Sequence, residues 1–518
     1  MNVVHILEKQ ALELPQQVAI RHGKGCITFA SLSNHSAQGG QFLKSLGLKP
    51  GDTVLVFVPM SIDLYVILMS IWRLGAHAMF LDPSSGKEKI AQCCERQPPK
   101  AFIGIPKAQL LRLMTPSLRA IPIAISTGFS LFCKKWSSIK AFDELAIAEC
   151  ADDEPALITF TSGSTGLPKG TIRSHGFLMA QNRILAKTLN LKPGNADLAT
   201  LPVFALINLA NGVTTIIPSE KIMSPGKVNG TKVLAEISKY KPQSAVASPA
   251  FFECLLKSPN RHELQHLDVI FTGGAPVFPQ LLKNLQKYMP DKKVYAVFGS
   301  TEAEPIAEMA FTDMSESDLQ KMAAGKGLLT GPCVKDISCR IIGDHWGQQL
   351  QSMTSAAFDK LQLHPMEPGE IVVYGDHVLK SYLGGYGDEE NKFQVDEQIW
   401  HRTGDLGYFD DQNRLWLLGR CTAKVKDGHY YLYPFAVETA AMQVDAVKRA
   451  AMCQVEELTI LVIDSPEKSH KLKKSLEGIA KEFNIDQLLF LEIPLDKRHN
   501  AKIDYPELMK SINSKKRI

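Results

Sequence analysis

The stretch 157-LITFTSGSTGLPKG-170 sets an apolar, β-branched run ahead of a loop of glycine and hydroxyl residues that closes on a lysine. Exposed backbone N–H groups, Ser and Thr hydroxyls and one cation are all anion donors, so the loop suits phosphate. Its spacing is not that of a P-loop, which needs Gly, four residues, then Gly-Lys and Ser or Thr opening a helix. Here Lys169 follows Pro168 and precedes Gly170. A strand that delivers small residues at its C-terminal end is nevertheless where α/β folds place ligands.

Working outward, strand-like runs alternate with helical patterns over most of the chain. Examples are 53-TVLVFVP-59 before a helix near 61–74, 101-AFIGIP-106 before 107-KAQLLRLM-114, 244-SAVASP-249 before 250-AFFECLL-256, and 267-LDVIFTGG-274 before 278-FPQLLKNLQKYM-289. Short β-branched runs alternating with roughly ten-residue helices predict an α/β fold with layered, mostly parallel sheets. The segment 369-GEIVVYGDHVLKSYLGG-385 reads as short strands and turns, a small β subdomain. Beyond 414-RLWLLGR-420 come the strand-like pieces 458-LTILVID-464 and 488-LLFLEIP-494 and the amphipathic helix 470-HKLKKSLEGIAKEF-483. Together these predict a small α+β C-terminal domain. The boundary falls near Cys421-Thr422, giving domains 1–420 and 421–518.

The bulk properties exclude several classes. The chain has 518 residues and a net charge of +4, too small for a nucleic-acid footprint. Its ten cysteines form no CxxC pair and no zinc spacing, which suggests reduced thiols in a reducing compartment. The N-terminus shows no basic region followed by an apolar core, so a cytoplasmic location is expected. The most apolar stretch, 53–81, is interrupted by Asp63 and Arg73 and predicts a buried strand and helix rather than a membrane span. The basic end 514-SKKRI-518 reads as a solvated tail.

Further motifs follow the first loop in order: 273-GGAP-276, 298-FGSTE-302, 402-RTGDLGYFDDQNRLWLLGR-420 and 494-PLDKRHNAKIDYPEL-508. With 161-TSGSTGLPKG-170 they resemble the five signature motifs of the acyl-adenylating, AMP-forming ligases, which include acyl-CoA synthetases, peptide-synthetase adenylation domains and luciferases. The resemblance implies a large core, a small mobile C-terminal domain that rotates about a hinge at Cys421-Thr422, and dependence on ATP and Mg²⁺. Adenylation brings a carboxylate to the α-phosphate and expels pyrophosphate, so cations, a metal and oriented donors are required. By the resemblance, Thr161, Ser162, Gly163, Ser164, Thr165, Gly166 and Lys169 wrap the outer phosphates. Gly273, Gly274 and Ala275 form the adenine-side loop, and Phe298, Gly299 and Ser300, of the aromatic-Gly-x-Thr-Glu motif, bind the nucleotide. Thr301 touches the α-phosphate and Glu302 holds Mg²⁺. Asp405 accepts from both ribose hydroxyls, Arg420 donates to ribose or phosphate, and Lys502 bridges the acid and the α-phosphate in the transition state.

Each assignment has a structural alternative. Lys169 can be a solvated loop lysine, Glu302 an acid in the first turn of a helix, Asp405 a turn cap, and Arg420 a surface linker residue. His175 reads as a structural residue at a helix start, and Glu308, Asp410 and Asp411 as solvated charges. Departures from the common pattern narrow the family. The segment 498-RHNAK-502 lacks the usual Thr, Ser and Gly, and 201-LPVFALINLANG-212 has Ala205 where many members carry histidine. Both features, with 274-GAPV-277 and 401-HRTGDLGY-408, resemble the olefin β-lactone synthetases, which implies a long-chain 3-hydroxy acid and an acyl-carrier or olefin-biosynthesis partner. In 424-KVKDGHYYLYP-434 the single Gly428 is flanked by large residues where CoA ligases keep a glycine-rich turn, so use of CoA is open. Phe204, Ile207 and Phe251 are candidates for an apolar acyl pocket.

Overall fold

The computed structural model describes residues 1–162, 168–220, 222–427, 430–496 and 502–516, with the backbone alone at Thr161, Ser162, Lys515 and Lys516. Gly163, Ser164, Thr165 and Gly166, the side chains of Thr161 and Ser162, and Gly428 lie outside the described residues. Contacts divide the chain into two units. One comprises Met1–Ser219 with Asp376–Glu389, the other Glu220–Gly375 with Glu390–Ile518.

In the first unit, strands Lys134–Lys135, Ile123–Ser126, Ala101–Gly104, Thr53–Phe57, His77–Phe80, Pro155–Ser162 and Pro168–Ser174 lie side by side in that order. All pair in parallel except the last, which returns antiparallel after the glycine-rich loop. Thr53–Phe57 and Ala101–Gly104 are buried at every residue, as central strands covered on both faces must be. The apolar run 53–81 resolves into a strand, the helix Ile62–Arg73 and the strand His77–Phe80. Ser61 caps the helix, its side chain accepting from the Leu64 N–H at 3.3 Å. Arg73 does not interrupt the packing. It is buried because its guanidinium pairs with Glu8 and donates to Ser36 Oγ at 3.3 Å and to the Leu145 carbonyl at 3.1 Å. A second group of strands, Ala196–Ala199, Thr214–Ile217 and Val18–His22, is parallel, with Gly25–Thr28 closing a hairpin. No helix among the described residues is long and apolar enough to cross a membrane.

In the second unit, Ser244–Ala247, Val269–Gly273 and Lys293–Ser300 are parallel neighbours and Ala303–Ala310 folds back antiparallel. A separate antiparallel sheet orders Leu328–Gly331, Leu415–Arg420, Gln398–Phe409, Gly369–Tyr374 and Ser338–Ile342, with Lys392–Val395 on Gln398–Phe409. This β layer is wider than the 369–385 segment in which the sequence signalled it, because its other strands come from flanking segments. The rings of Tyr408 and Trp416 stack within it at 6.0 Å over Met309, Leu329 and Leu418. Residues 376–389 belong to the first unit. After a short turn at Cys421–Ala423 come the helices Pro434–Ala441, His470–Glu482 and Tyr505–Lys516, and the strands Arg449–Val455, Leu458–Asp464 and Gln487–Phe490.

Glu438 gives this C-terminal α+β region a pH dependence. It is 1% exposed, and its Oε1 accepts from the Met452 N–H and the Tyr505 hydroxyl, each at 3.1 Å. Burial still raises its carboxyl to about 7. The folded state therefore prefers the protonated acid. That contribution is complete below the ordinary carboxylate range and is lost as pH rises through about 7. Glu438→Gln keeps an acceptor and removes the charge. Above that pH it is expected to be the more stable form by about 3 kcal/mol, with no gap at acid pH. Thermal melts of both proteins across the pH range check this.

Candidate active site

Two motifs of the second unit leave neighbouring strands. Val269–Gly273 and Lys293–Ser300 run parallel with Gly273 opposite Val297, so 273-GGA-275 and 298-FGSTE-302 emerge at the same end. A Cβ on Gly273 would sit 2.6 Å from the Val297 carbonyl oxygen, and Gly274 turns the chain at φ +77°, so both positions require glycine. Ser300 pairs with Ala303, leaving Thr301 and Glu302 as a two-residue hairpin turn. The Ser300 hydroxyl accepts from the N–H groups of Glu302 and Ala303, each at 3.2 Å, and pins the tip. Glu302 is thus on a hairpin, and the helix-dipole alternative for it fails.

Asp405 is within strand Gln398–Phe409, directly opposite Arg420 at the end of Leu415–Arg420. It is therefore not a turn cap. Arg420 Nε lies 3.3 Å from Asp405 Oδ1, and the Arg420 guanidinium also donates to the Thr403 carbonyl at 3.1 Å. Thr403 Oγ1 accepts from the Asp405 N–H at 3.1 Å, so both partners are positioned by one residue. The Asp405 side chain is 13% exposed and that of Arg420 53%. Burial raises the Asp405 carboxyl; Arg420 and then Lys502 draw it back, and Glu302 adds to the rise. On the same strand, Arg402 forms with Glu370 a fully buried two-pronged pair at 2.7 and 2.8 Å, and Arg402 also lies 5.3 Å from the Trp346 ring centre.

Lys502 is held by a turn closed on itself. Its N–H donates to Asp496 Oδ1 at 2.9 Å, its carbonyl accepts from the Asp496 N–H at 2.8 Å, and Leu495 bridges Ile503. Residues 497–501 lie outside the described residues. The Lys502 side chain is exposed. Desolvation first, then Arg420, lower its pKa, while Asp405, Asp496 and Glu302 raise it. Arg420, in turn, is raised chiefly by Asp405 and also by Glu302. Four residues from three distant motifs therefore act on one another electrostatically.

In the first unit Lys169 is buried, not a solvated loop residue. It pairs with Thr161 across the strands that flank the glycine-rich loop. Its stem crosses Gly387, where a Cβ would meet Lys169 Cδ at 2.8 Å, and its ammonium lies 5.8 Å from the centre of the Tyr382 ring. Arg96 stacks 3.9 Å above Tyr386 and donates to the Pro168 carbonyl at 2.7 Å. The sequence offered no signal for this cradle of Arg96 and 382–387, because contacts between segments far apart in the chain, the Thr171–Tyr382 bridge among them, bring 382–387 to the strand.

The remaining candidates separate. Phe204 and Ile207 share the helix Pro202–Ala210, and both are buried. Ile207 lines a largely apolar cavity of about 490 Å³, including its solvent-open part, with Trp72, Leu178 and Leu206. Phe204 does not line it, and Phe251 is packed edge-to-face on Phe252 in the core of the second unit. His175 is structural: its Nδ1 accepts from the Val3 N–H at 3.2 Å, and burial lowers its pKa to about 4. Two charges read as solvated are not. Asp410 is buried and accepts from Arg414 at 2.8 Å and Trp416 Nε1 at 3.0 Å. Glu308 has a buried carboxylate oxygen without a hydrogen-bond partner among the described residues, and burial raises its pKa to about 7.

This donor set fits a nucleotide. A part-buried carboxylate suits a diol, and Arg420 and Lys502 beside it suit phosphate oxygens. Among the described residues no group of three or more His, Cys, Asp or Glu could cage a metal, and Glu302 is the residue the resemblance names for Mg²⁺. The shifts imply a bell-shaped pH dependence. With Asp405 as the ribose-diol acceptor and Lys502 as the bridge between anions, the roles the resemblance implies, activity is expected to fall as pH drops through the raised Asp405 value and as pH rises through the lowered Lys502 value. Lys502→Arg is expected to erase the alkaline limb and leave the acid limb in place, read from kcat/KM against pH.

The profile of the family described as "AMP-binding enzyme" matches residues 7–383. An olefin β-lactone synthetase of Stenotrophomonas maltophilia is 28% identical over 546 aligned positions, covering 98% of this chain and 97% of its own. A 4-coumarate–CoA ligase of Oryza sativa is 24% identical, covering 82% and 76%. The structure of an anthranilate CoA ligase in complex with anthranoyl-AMP superposes with a TM-score of 0.83 at 18% identity, covering 99% and 97%.

Proposed function

Because the chain belongs to the AMP-binding enzyme family and is an AMP-forming acid ligase, we propose that its acid is a fatty acid bearing a 3-hydroxyl and that the acyl-adenylate closes to a β-lactone. The mutual influence of Lys502, Arg420, Asp405 and Glu302 is the observation that carries the adenylation step. In this reading Asp405 accepts from the ribose hydroxyls and Arg420 steadies the ribose and α-phosphate. Lys169 meets the outer phosphates with the 161–166 loop, Thr301 contacts the α-phosphate, and 273–275 with 298–300 flank the base. Glu302 would hold Mg²⁺, which would supply charge neutralisation. The substrate carboxylate oxygen bonds to the α-phosphorus as the bond to the bridging oxygen breaks, and pyrophosphate leaves with its electron pair. Lys502 offsets charge on the entering carboxylate and α-phosphate together. The 3-hydroxyl oxygen then bonds to the activated carbonyl carbon, AMP departs, and the hydroxyl proton passes to solvent.

The acid class rests on the relatives, on the apolar lining near Ile207, and on the lack of an acidic residue in 204-FALIN-208 to pair an amino-acid amine. A lactone-forming enzyme is expected to work beside enzymes that supply its hydroxy acid and consume its product. The matches to CoA ligases favour a second reading, transfer of the acyl group to a CoA or carrier-protein thiol with the C-terminal domain, 421–518, rotating about Cys421-Thr422. Incubation with ATP, Mg²⁺ and a 3-hydroxy fatty acid, without thiol, separates the two. AMP, pyrophosphate and lactone in equal amounts are expected. AMP release that waits for CoA would replace the first reading with the second.

A further inference from the structure

The segment 96–142 carries eight Lys and Arg residues and no Asp or Glu. Within it lie Leu110, Leu113, Met114, Phe129, Leu131 and Phe132, each 47–92% exposed. They are six of the thirteen exposed large apolar residues found in the described part of the chain, gathered into 23 positions, 110–132. Scattered exposed apolar residues need no explanation, but a concentration of this kind marks an interaction surface.

The two parts of the patch are joined. Helix Pro106–Met114 turns Ala108 and Leu111 toward the core beneath it. Its outward positions should be polar; they hold Lys107, Leu110, Leu113 and Met114. The loop that carries Phe129, Leu131 and Phe132 is tied to this helix. Gln109 Nε2 donates to the Ile125 carbonyl at 2.8 Å, Cys133 Sγ lies 3.4 Å from Gln109 Oε1, and a Cβ on Gly128 would stand 2.9 Å from Pro106. Phe132 is 92% exposed and sits at φ +61°, a conformation bulky residues rarely adopt. Both a strained backbone and an aromatic ring are thus held out in water. Next come the exposed Lys134 and Lys135 on the edge strand of the sheet. Lysines alone can guard a sheet edge against pairing, but that role does not account for the apolar side chains beside them.

We propose that this face docks on an anionic membrane surface. The six apolar side chains enter the headgroup boundary, and Lys107, Lys134 and Lys135 meet lipid phosphates. Charge decides the occupant: Lys100 is paired with Asp52 and Arg112 is buried, but the exposed Lys107, Lys134 and Lys135 complement an anionic bilayer, and aromatic and aliphatic tips suit its interface. The inference does not depend on which acid the enzyme adenylates.

The full chain should co-sediment with vesicles of phosphatidylcholine mixed with phosphatidylglycerol, less with phosphatidylcholine alone, and less as salt rises. Lys134→Glu with Lys135→Glu is expected to weaken binding by about 30-fold or more, two surface charges being reversed. Phe129→Ser with Phe132→Ser should weaken binding to both vesicle types. All four positions are exposed, so unchanged circular dichroism and unchanged pyrophosphate release with a water-soluble short-chain acid are expected of both variants. The proposal is overturned if the wild type stays in the supernatant with the anionic vesicles at low salt, or if the variants sediment as it does. It is also overturned if gel filtration finds an oligomer that Phe129→Ser with Phe132→Ser dissociates, which would assign the patch to a second copy of the chain.

Discussion

Lys502→Ala is expected to lower acid-dependent pyrophosphate release by on the order of 10²–10³-fold while ATP still binds. The Lys502 ammonium lies within electrostatic reach of Arg420, Asp405 and Glu302 together. Two anions must meet for the α-phosphorus to be attacked, and a positioned cation is worth most as that charge gathers. Ribose and base contacts are assigned to Asp405, to Arg420 and to the strand ends at 273–275 and 298–300, so binding should survive. The turn that holds Lys502 uses its backbone groups and the Asp496 carboxylate, which Ala retains, so the fold should be unchanged. Single-turnover release of pyrophosphate, beside calorimetric titration with ATP, separates chemistry from binding. Full activity in the variant would remove Lys502 from the reaction; loss of ATP binding with unchanged chemistry would make it a binding residue only.

Arg402→Met carries the largest expected effect on stability. Arg402 and Glu370 are both fully buried, and the carboxylate takes two charge-assisted hydrogen bonds from the guanidinium. Removing only the cation leaves a buried, uncompensated carboxylate, which costs about 3–5 kcal/mol. Total stability is commonly about 5–15 kcal/mol, so the unfolding midpoint in urea should drop sharply. Asp405 lies on the same strand three residues along, and its alignment with Arg420 should loosen as well. Arg402→Met with Glu370→Leu removes both charges together and is expected to recover most of the loss, because a well-packed apolar pair often matches a buried ion pair. A single variant that unfolds with the wild type would show that the pair contributes nothing.

Much of this arrangement was legible in the chain itself. Apolar β-branched runs alternating with helical patterns foretold the parallel strands, since a strand covered on both faces must be apolar throughout, as 53-TVLVF-57 is. Loop chemistry singled out 161–170, and the ordered resemblance to the acyl-adenylating ligase motifs singled out 273–275 and 298–302. Where the reading went astray, local pattern was silent about partners. Asp410 looked like a surface charge, but Arg414 and Trp416 make it a buried one. Arg73 looked like a break in an apolar run, but Glu8, far away in sequence, neutralises it.

What the sequence determined by itself is therefore the α/β class, the order of the motifs and the kinds of side chain the chemistry needs. These follow from period, propensity and composition, which are local properties. Only the tertiary structure decided that Lys502 shares an electrostatic field with Asp405 and Arg420, that Gly387 and Tyr382 shelter Lys169, and that six apolar side chains face outward between 110 and 132. Those facts depend on strand register and on contacts between segments far apart in the chain. No local pattern encodes them, because the free energy that selects them comes from burying all the segments at once.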